Sequence, residues 1–326
     1  MSDLPVGAAA IVIPVLNEQA HLADVVRALA GQARHMVAEI LIVDGGSTDG
    51  TIEIAHSLAK KDPRIRLLHN PRRLQSAAVN LAATAASPEV TLLIRADAHA
   101  GYPGDFVETL VREARHSGAQ SVTNQLHSVG NTCFQRAVAA VSNSKFGTGG
   151  AVHRSGGKAG YVDHAHHALF DRAWYERLGG YDESFVANED AEYDVRLRAA
   201  GGKIWFTPDA SVLYYPRKTP WSLARQYYRY GVGRASNRRK HRERLRARQM
   251  IPPAMVLAVL GSIPLSPVSP WFLIVPAGYL AGVITAAVIL YGRSREACVL
   301  GALIALPIMH MAWGLGFLRG TLESNR

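Results

Sequence analysis

The chain has 326 residues, of which 48% are hydrophobic, and carries a net charge of +10. That length and apolar content exclude a disordered or fibrous chain and leave room for a full-sized domain plus a smaller part. The basic excess, with a pI near 9.8, points to an anionic partner: a nucleic acid, phospholipid headgroups or a phosphorylated substrate.

The N-terminus, "MSDLPVGAAAIVIPVLNE", lacks the basic n-region and long apolar core of a secretion signal, so a catalytic part is expected in the cytoplasm. From Ala8 to about Val122, short β-branched runs alternate with amphipathic stretches. "AAIVIPV" reads as a strand and "EQAHLADVVRALAGQ" as a helix; "EILIVDG" is a strand and "TDGTIEIAHSLAKK" a helix. "IRLLHN" and "VTLLIRAD" are two further strands, with the helical "LQSAAVNLAATAAS" between them. Strand and helix alternating at this spacing predict βαβ units and a mainly parallel sheet covered on both faces, an α/β fold. Ligands of such sheets gather outside the carboxyl ends of the strands. There the sequence places Asn17 and Glu18, Asp44 with Ser47 and Asp49, Asn70 with Arg72, and Asp97 with His99.

Between roughly Asn124 and Pro216 the alternation weakens into "GTGGAVHRSGGKAGYVDHAHHALF", a helical "NEDAEYDVRLRAAGG" and a strand-like "KIWFTPDASVLYYP". This region reads as the acceptor side of the same domain. Cys133 and Cys298 are far apart, form no metal spacing, and fit a reducing compartment without a disulfide framework.

The block Arg234 to Arg248 contains a single acid, Glu243, and three apolar stretches follow it: Met250 to about Pro267, Trp271 to Leu290, and Ala297 to Leu318. At about 1.5 Å per residue, about 20 helical residues span the hydrocarbon layer. The first stretch is short and holds Pro252, Pro253 and Pro264, which suits a tilted span or a re-entrant hairpin. Three crossings would put the basic block and the Arg293–Arg295 pair on the cytoplasmic face, as the positive-inside rule asks. The expected organisation is a catalytic domain over 1–233, a basic juxtamembrane segment over 234–249 and transmembrane helices over 250–320. No base-stacking or groove-reading element accompanies the basic block, so membrane lipid and not nucleic acid is its expected partner.

"VDGGSTDG", Val43 to Gly50, is by itself a tight turn with an ordinary helix cap, since Ser, Thr and Asp all cap well. "IVIPVLNE", Ile11 to Glu18, ends the preceding strand in the same way. Together these stretches resemble the nucleotide-sugar-binding half of the inverting family 2 glycosyltransferases, whose fold is GT-A. The resemblance implies that Pro14, Asn17, Glu18, Asp44 and Asp49 surround the nucleoside of a UDP-sugar. No G-x-G-x-x-G follows the first strand, which disfavours a dinucleotide-binding dehydrogenase, and the Gly-rich nucleotide loop of a sugar-nucleotide pyrophosphorylase is absent as well.

In that family the fourth strand ends in a D-x-D motif that holds a divalent ion against the donor diphosphate. Here it reads Asp97-Ala98-His99. The resemblance makes Asp97 and His99 the metal ligands, with His99 shifting preference from Mg²⁺ toward Mn²⁺; His99 could equally hydrogen-bond a phosphate or cap the strand. "NPRRLQSAAVNLA", "RADAH", "NEDAEYDVRLRAAGGKIWF" and "QYYRYGVGRA" are similar to the succinoglycan-biosynthesis glucosyltransferase branch of the family, which also ends in an apolar membrane region.

"NED", Asn188 to Asp190, is a favourable acidic pair for the dipole of a helix start. The resemblance makes Asp190 the general base and Glu189 a supporting carboxylate, and it places Arg72 beside the leaving phosphates. Gln226 and Arg229 of "QYYRYG" stand where processive synthases have Q-x-x-R-W, which by resemblance implies contact with the donor diphosphate or the acceptor at the membrane face; an amphipathic interfacial helix explains them equally well. Trp205 is either a platform for the acceptor sugar or a core residue. Asp163 lies in "VDHAHHALF", beside His164, His166 and His167, where the chain departs from its branch and acceptor contacts are expected.

The implied function is that of a multi-pass enzyme of the cytoplasmic (inner) membrane. It would move a hexose, expected to be glucose, from a UDP-sugar to a lipid-linked or growing polysaccharide, with a Mn²⁺ or Mg²⁺ cofactor and inversion at the anomeric carbon. The alternatives are a polyprenyl-phosphate glycosyltransferase and a non-catalytic membrane sensor of nucleotide sugars, the latter indifferent to Asp190→Asn.

Overall fold

The computed structural model describes residues 8–242 and 247–323; residues 243–246 of the basic block lie outside them. The chain forms two compact units. One consists of Met1–His127, Gly156–Phe185 and Glu189–Tyr214, the other of Ser128–Ser155, Val186–Asn188 and Tyr215–Arg326. This division differs from the expected boundary at residue 233, because Val138, Val141 and Leu223 share a buried cluster with the apolar C-terminal helices.

The first unit opens with the alternation that the sequence predicts: β1 (Ala9–Val15), α1 (Leu22–Ala30), β2 (Val37–Asp44), α2 (Thr51–Lys61), β3 (Ile65–His69), α3 (Gln75–Ala85) and β4 (Leu92–Arg95). β1 pairs in parallel with β2 and with β4, and β2 with β3. β1, β2 and β4 are buried on both sides, as a helix-covered parallel sheet requires, while the edge strand β3 is partly exposed. Ile11, Ile13, Ile40 and Ile42 face one core, with α1 and α4 (Phe106–Ser117), while Ala10, Val12, Leu41 and Val43 face the other, with α3 and Tyr193 and Leu197 of α9 (Glu189–Ala199). α1 shows why its segment is helical: Leu22, Val25, Val26 and Leu29 recur at helical spacing and are the residues it buries. α4 ends at Gly118, whose φ of 61° is the left-handed cap that glycine adopts without a Cβ clash.

The region where the alternation weakens supplies the other half of the sheet. β5 (Ser121–Ser128), β6 (Gly160–Tyr161), β7 (His166–Asp171) and β8 (Ile204–Tyr214) complete eight strands in the order β3-β2-β1-β4-β7-β5-β8-β6. β7 enters antiparallel beside β4 and pairs antiparallel with β5, so the sheet is mainly parallel on one side only. α8 (Arg172–Arg177) follows β7 directly.

The second unit holds α5 (Cys133–Ser142), the short α6 (Lys145–Thr148) and α7 (Val152–Ser155), and the long helices α10 (Pro220–His241), α11 (Ala247–Ser262), α12 (Ile274–Ser294) and α13 (Ala302–Leu322). α10 starts at a capping box made by Thr219 and Ser222, with Pro220 in its first turn. Three segments, Ala247–Leu265, Pro270–Ser294 and Ala297–Leu322, are long and apolar enough to cross a membrane.

Two unpaired thiols were expected, and this is corrected: Cys133 and Cys298 form a disulfide, with their Cα atoms 4.9 Å apart. They are separated by 165 residues in sequence, and only the packing of Val138 and Val141 of α5 with Val299 and Ala302 brings them together. Asn188 also belongs to this unit. It sits at a left-handed φ of 64°, its amide donates to the Tyr230 carbonyl of α10 at 2.8 Å, and Gly233 packs so closely on the Ala187 carbonyl that a Cβ there would overlap it.

Candidate active site

The loops after β1 and β2 are built as one piece. Asn17, at a left-handed φ of 58°, accepts from the Thr48 amide at 2.8 Å, and its own amide donates to the Ser47 hydroxyl at 2.9 Å. The Glu18 amide donates to the Thr51 hydroxyl at 2.8 Å and the Gln19 amide to Asp49 at 3.2 Å. Asp44, buried at the end of β2, accepts from the amides of Gly46 (2.7 Å) and Ser47 (3.1 Å) and from the Ser47 hydroxyl (2.5 Å). Asp49 accepts from the Thr51 hydroxyl, which holds its carboxyl below the ordinary range against the opposing effect of burial. Both acids therefore perform the turn and capping roles open to them from sequence, and they do so beside Asn17 and Glu18. Pro14 is half-buried in β1.

Beyond β4, Asp97 and His99 lie in the loop that the parallel sheet aims at this rim. Asp97 accepts from Gln75 at 2.9 Å and lies 3.5 Å from the Arg95 guanidinium. Burial raises the carboxyl pKa, but Arg95, His166, His99 and the Gln75 hydrogen bond outweigh it, so Asp97 is held below the usual carboxylate range. His99 Nδ1 meets Glu18 Oε1 at 2.8 Å. A carboxylate on an imidazole nitrogen is the arrangement that orients a metal-ligating histidine. Among the described residues no group of three His, Cys, Asp or Glu could by itself hold a metal ion. One carboxylate and one imidazole fit an ion that takes its remaining ligands from a diphosphate and water, the usual manner for hard divalent ions on nucleotides. Arg72 forms an ion pair of 2.5 Å with Glu183.

Glu189 and Asp190 open α9, and Asp190 accepts from the Ala191 amide at 2.7 Å. Their environments drive their titrations apart. For Asp190, burial acts upward but His164, His167, Arg95 and His166 together depress the carboxyl far below its ordinary value. For Glu189, burial and then the neighbouring Asp190 charge raise it, with Arg95 opposing. A pair split in this way gives an ionised proton acceptor and a carboxyl biased toward its protonated form.

Several contributors were not singled out from sequence. Arg95, the last residue of β4, is 9% exposed, and the charges of Asp97, Glu189 and Asp190 all act on it. Burial opposes its charge, yet those carboxylates keep it cationic. Asp194 is fully buried and takes His164 Nδ1 at 2.7 Å on one oxygen and His167 Nε2 at 2.7 Å on the other. His167 Nδ1 contacts the Tyr181 hydroxyl at 2.8 Å, and His166 Nδ1 contacts Asn124 at 3.0 Å. The available signal was the i, i+4 spacing of Asp190 and Asp194, which puts both on one face of α9. Asp163 is exposed, one residue before His164. Trp205 packs on the sheet face that carries α4, its indole donating to Glu113 at 2.9 Å and its ring 5.0 Å from that of Tyr161. The structure thus gives it a core position on the face opposite α9. Gln226 and Arg229 belong to α10 in the second unit, where the Gln226 amide donates to the Tyr230 hydroxyl at 3.0 Å and Arg229 is exposed.

Residues 10–179 match glycosyl transferase family 2. Over 321 residues the chain is 44% identical to the succinoglycan biosynthesis protein ExoA of Rhizobium meliloti (strain 1021), covering 97% of this chain and 96% of that one. It is 23% identical over 327 residues, 97% of each chain, to a dolichyl N-acetyl-alpha-D-glucosaminyl phosphate 3-beta-D-2,3-diacetamido-2,3-dideoxy-beta-D-glucuronosyltransferase of Methanococcus voltae. Among solved structures, the mannosyltransferase PcManGT from Pyrobaculum calidifontis, in complex with GDP-Man and Mn²⁺, matches with a TM-score of 0.58 at 18% identity, over 94% of this chain and 86% of that one. GalNAc-T7 with UDP, GalNAc and Mn²⁺ matches with a TM-score of 0.52 at 15% identity, over 74% and 55%. At these identities the structural likeness is one of fold, and the fold is GT-A. Matched over more than half its length by the family and nearly end to end by ExoA, the chain belongs to glycosyl transferase family 2 and is a glycosyltransferase.

Proposed function

We propose that the enzyme is a membrane-anchored inverting glycosyltransferase that moves a hexose, glucose from UDP-glucose, onto a lipid-linked or growing polysaccharide at the cytoplasmic face of the inner membrane. The observation that carries this reading is the buried Arg95 guanidinium, whose charge acts on Asp97 and on Asp190 alike. That shared neighbour supports reading Asp97 as the acid beside the leaving group and Asp190 as the proton acceptor of one site.

In this reading Pro14, Asn17, Glu18, Asp44 and Asp49 form the nucleoside rim, and Asp97 and His99 hold a divalent ion, Mn²⁺ in preference to Mg²⁺, against the donor diphosphate. When bound, the ion offsets the charge that develops on the departing UDP. Glu18 orients His99, Gln75 and Arg95 fix Asp97, and Arg72 adds positive charge for the phosphates. Asp190, held ionised by Arg95 and the histidine cluster, accepts the acceptor hydroxyl's proton as the bond to the anomeric carbon forms, because a sugar hydroxyl is too weak an acid to ionise first. Glu189 supports it, Asp163 contacts the acceptor, and Gln226 and Arg229 meet the donor diphosphate. A single displacement turns an α-linked donor into a β-linked product.

The test is a UDP-release assay over a panel of nucleotide sugars, with membranes supplying acceptor, run with Mn²⁺ and with Mg²⁺ on wild type, Asp97→Ala and Asp190→Asn. Both variants should lose turnover while Asp190→Asn keeps donor affinity; full turnover in Asp190→Asn would remove the base and leave a nucleotide-sugar sensor. Whether the new bond is to a sugar hydroxyl or to a phosphate separates a polysaccharide acceptor from a polyprenyl phosphate.

A further inference from the structure

All three apolar segments of the second unit are long and apolar enough to cross a membrane, but they are not packed alike. α13 runs beside α10 in the same direction along most of its length. Leu223 shares a buried cluster with Leu306 and Met309. A Cβ on Gly231 would overlap the Trp313 carbonyl and the Phe317 amide, one on Gly316 would overlap the Tyr228 carbonyl, and one on Gly320 would press on Ala235 and Val232. At the far end Arg239 Nη1 donates to the carbonyls of Gly320 (2.5 Å) and Glu323 (2.7 Å). Residue numbers rise together on both helices, so the pair is parallel, and small residues let the backbones touch.

α10 cannot enter hydrocarbon. It carries Arg225, Arg229, Arg234, Arg238, Arg239 and Lys240 and no acid, and buried cations are strongly resisted at bilayer depth. A helix flanked by α10 from its first turns to its last cannot cross without carrying it along. Polar protein also covers α13 elsewhere: His310 Nε2 meets the Phe146 carbonyl at 2.9 Å, and the turn before α13 is bonded to α5 through Cys298. A third crossing would also strand Arg319, in the last turn of α13, on the far side from the other basic segments.

We infer that α13 does not cross the bilayer. It lies in the headgroup layer of one leaflet, with its α10 side against protein and its exposed Leu303, Ile304 and Leu315 in the acyl chains. α11 and α12 form the inserted hairpin, with Val268 and Trp271, 81% and 76% exposed, at its turn. The partner of the α10–α13 surface is an anionic lipid leaflet, the membrane is crossed twice, and the chain returns at Leu322 to the side from which it entered. This rests on membrane attachment and not on the assignment of donor, metal or base.

Single cysteines at Lys61 and Thr321, both in full-length chain, test the topology in right-side-out and inverted membrane vesicles. A membrane-impermeant maleimide is the probe. Wild type, whose two cysteines are bonded to each other, is the blank. No apolar helix separates residue 61 from α10, so Lys61→Cys marks the entry side. Thr321→Cys should label from that same side and be silent from the other; labelling from opposite sides overturns the inference. A spin label on Leu315→Cys should report a depth near the headgroups by its relative access to oxygen and to a nickel chelate, and a midplane depth would equally overturn it. Neither readout depends on activity, so a failed transferase assay leaves them interpretable.

Discussion

With its guanidinium 3.5 Å from Asp97 and its charge felt at Glu189 and Asp190, Arg95 is the residue through which the site's carboxylates influence one another. A cation at this range typically lowers a carboxyl by about 1–3 pH units. Replacing it with Gln should move the acid limb of kcat/KM upward, toward neutral pH, by about that amount, as a pH profile would show, with circular dichroism checking the fold. The sign follows from the depressed pKa of Asp97 and Asp190: without the Arg95 charge each carboxyl rises toward its ordinary value, so its ionised form is lost at a higher pH. With Asp190 as the proposed base, Asp190→Asn should lower kcat by about 10²–10⁴-fold with UDP affinity retained, because the proposal assigns it proton acceptance and no donor contact. The strand-end acids were legible in sequence because a strand that stops at Asp44, or one residue short of Ala96-Asp97, announces its own end. The pairing of Gln75 with Asp97 and of His164 and His167 with Asp194 was not, because it spans 22 to 30 residues that no local pattern encodes; Arg95 was not, because its link to Glu189 and Asp190 spans still more of the chain.

At the scale of elements, the first seven strands and helices follow directly from hydrophobic period, and β1, β2 and β4 have the order and direction expected of βαβ units. The strand-like reading of "KIWFTPDASVLYYP" matches β8, but the pattern fails where β5 and β7 are recruited, since an antiparallel strand inserted beside β4 is chosen by tertiary pairing and not by local spacing. The same is true of the bond between α5 and the turn before α13. A disulfide closing so long a loop contributes about 2–4 kcal/mol, so reductant should lower the thermal midpoint of the purified chain, and Cys298→Ser should lower it without further sensitivity to reductant. Gly231→Ala probes the other strong contact of this unit. Overpacking typically costs about 1–3 kcal/mol, and here the obstacle is the backbone of Trp313 and Phe317, so the loss should lie at or above the upper end, read from denaturant midpoints in detergent.

For the molecule as a whole, composition located the apolar C-terminal quarter, and the packing of that region distinguishes helices that are each apolar enough to cross a membrane. Moving even part of α10 into hydrocarbon would cost about 2.5–3.5 kcal/mol for each cation, far more than any helix contact returns. At the surface the same charges attract anionic lipid by about 1 kcal/mol each. Binding of the intact protein to mixed-lipid nanodiscs should therefore strengthen with anionic lipid content and weaken with salt as the Debye length shortens, whereas Arg238→Gln with Arg239→Gln should flatten that salt dependence.

The position of Asn188 has a mechanical corollary. Its side chain is anchored to the Tyr230 carbonyl, and the very next residue begins the helix that carries Asp190. Consecutive Cα atoms are about 3.8 Å apart and a planar peptide does not stretch, so the hydrogen bond to Tyr230 fixes the Asn188 backbone at its left-handed φ against α10.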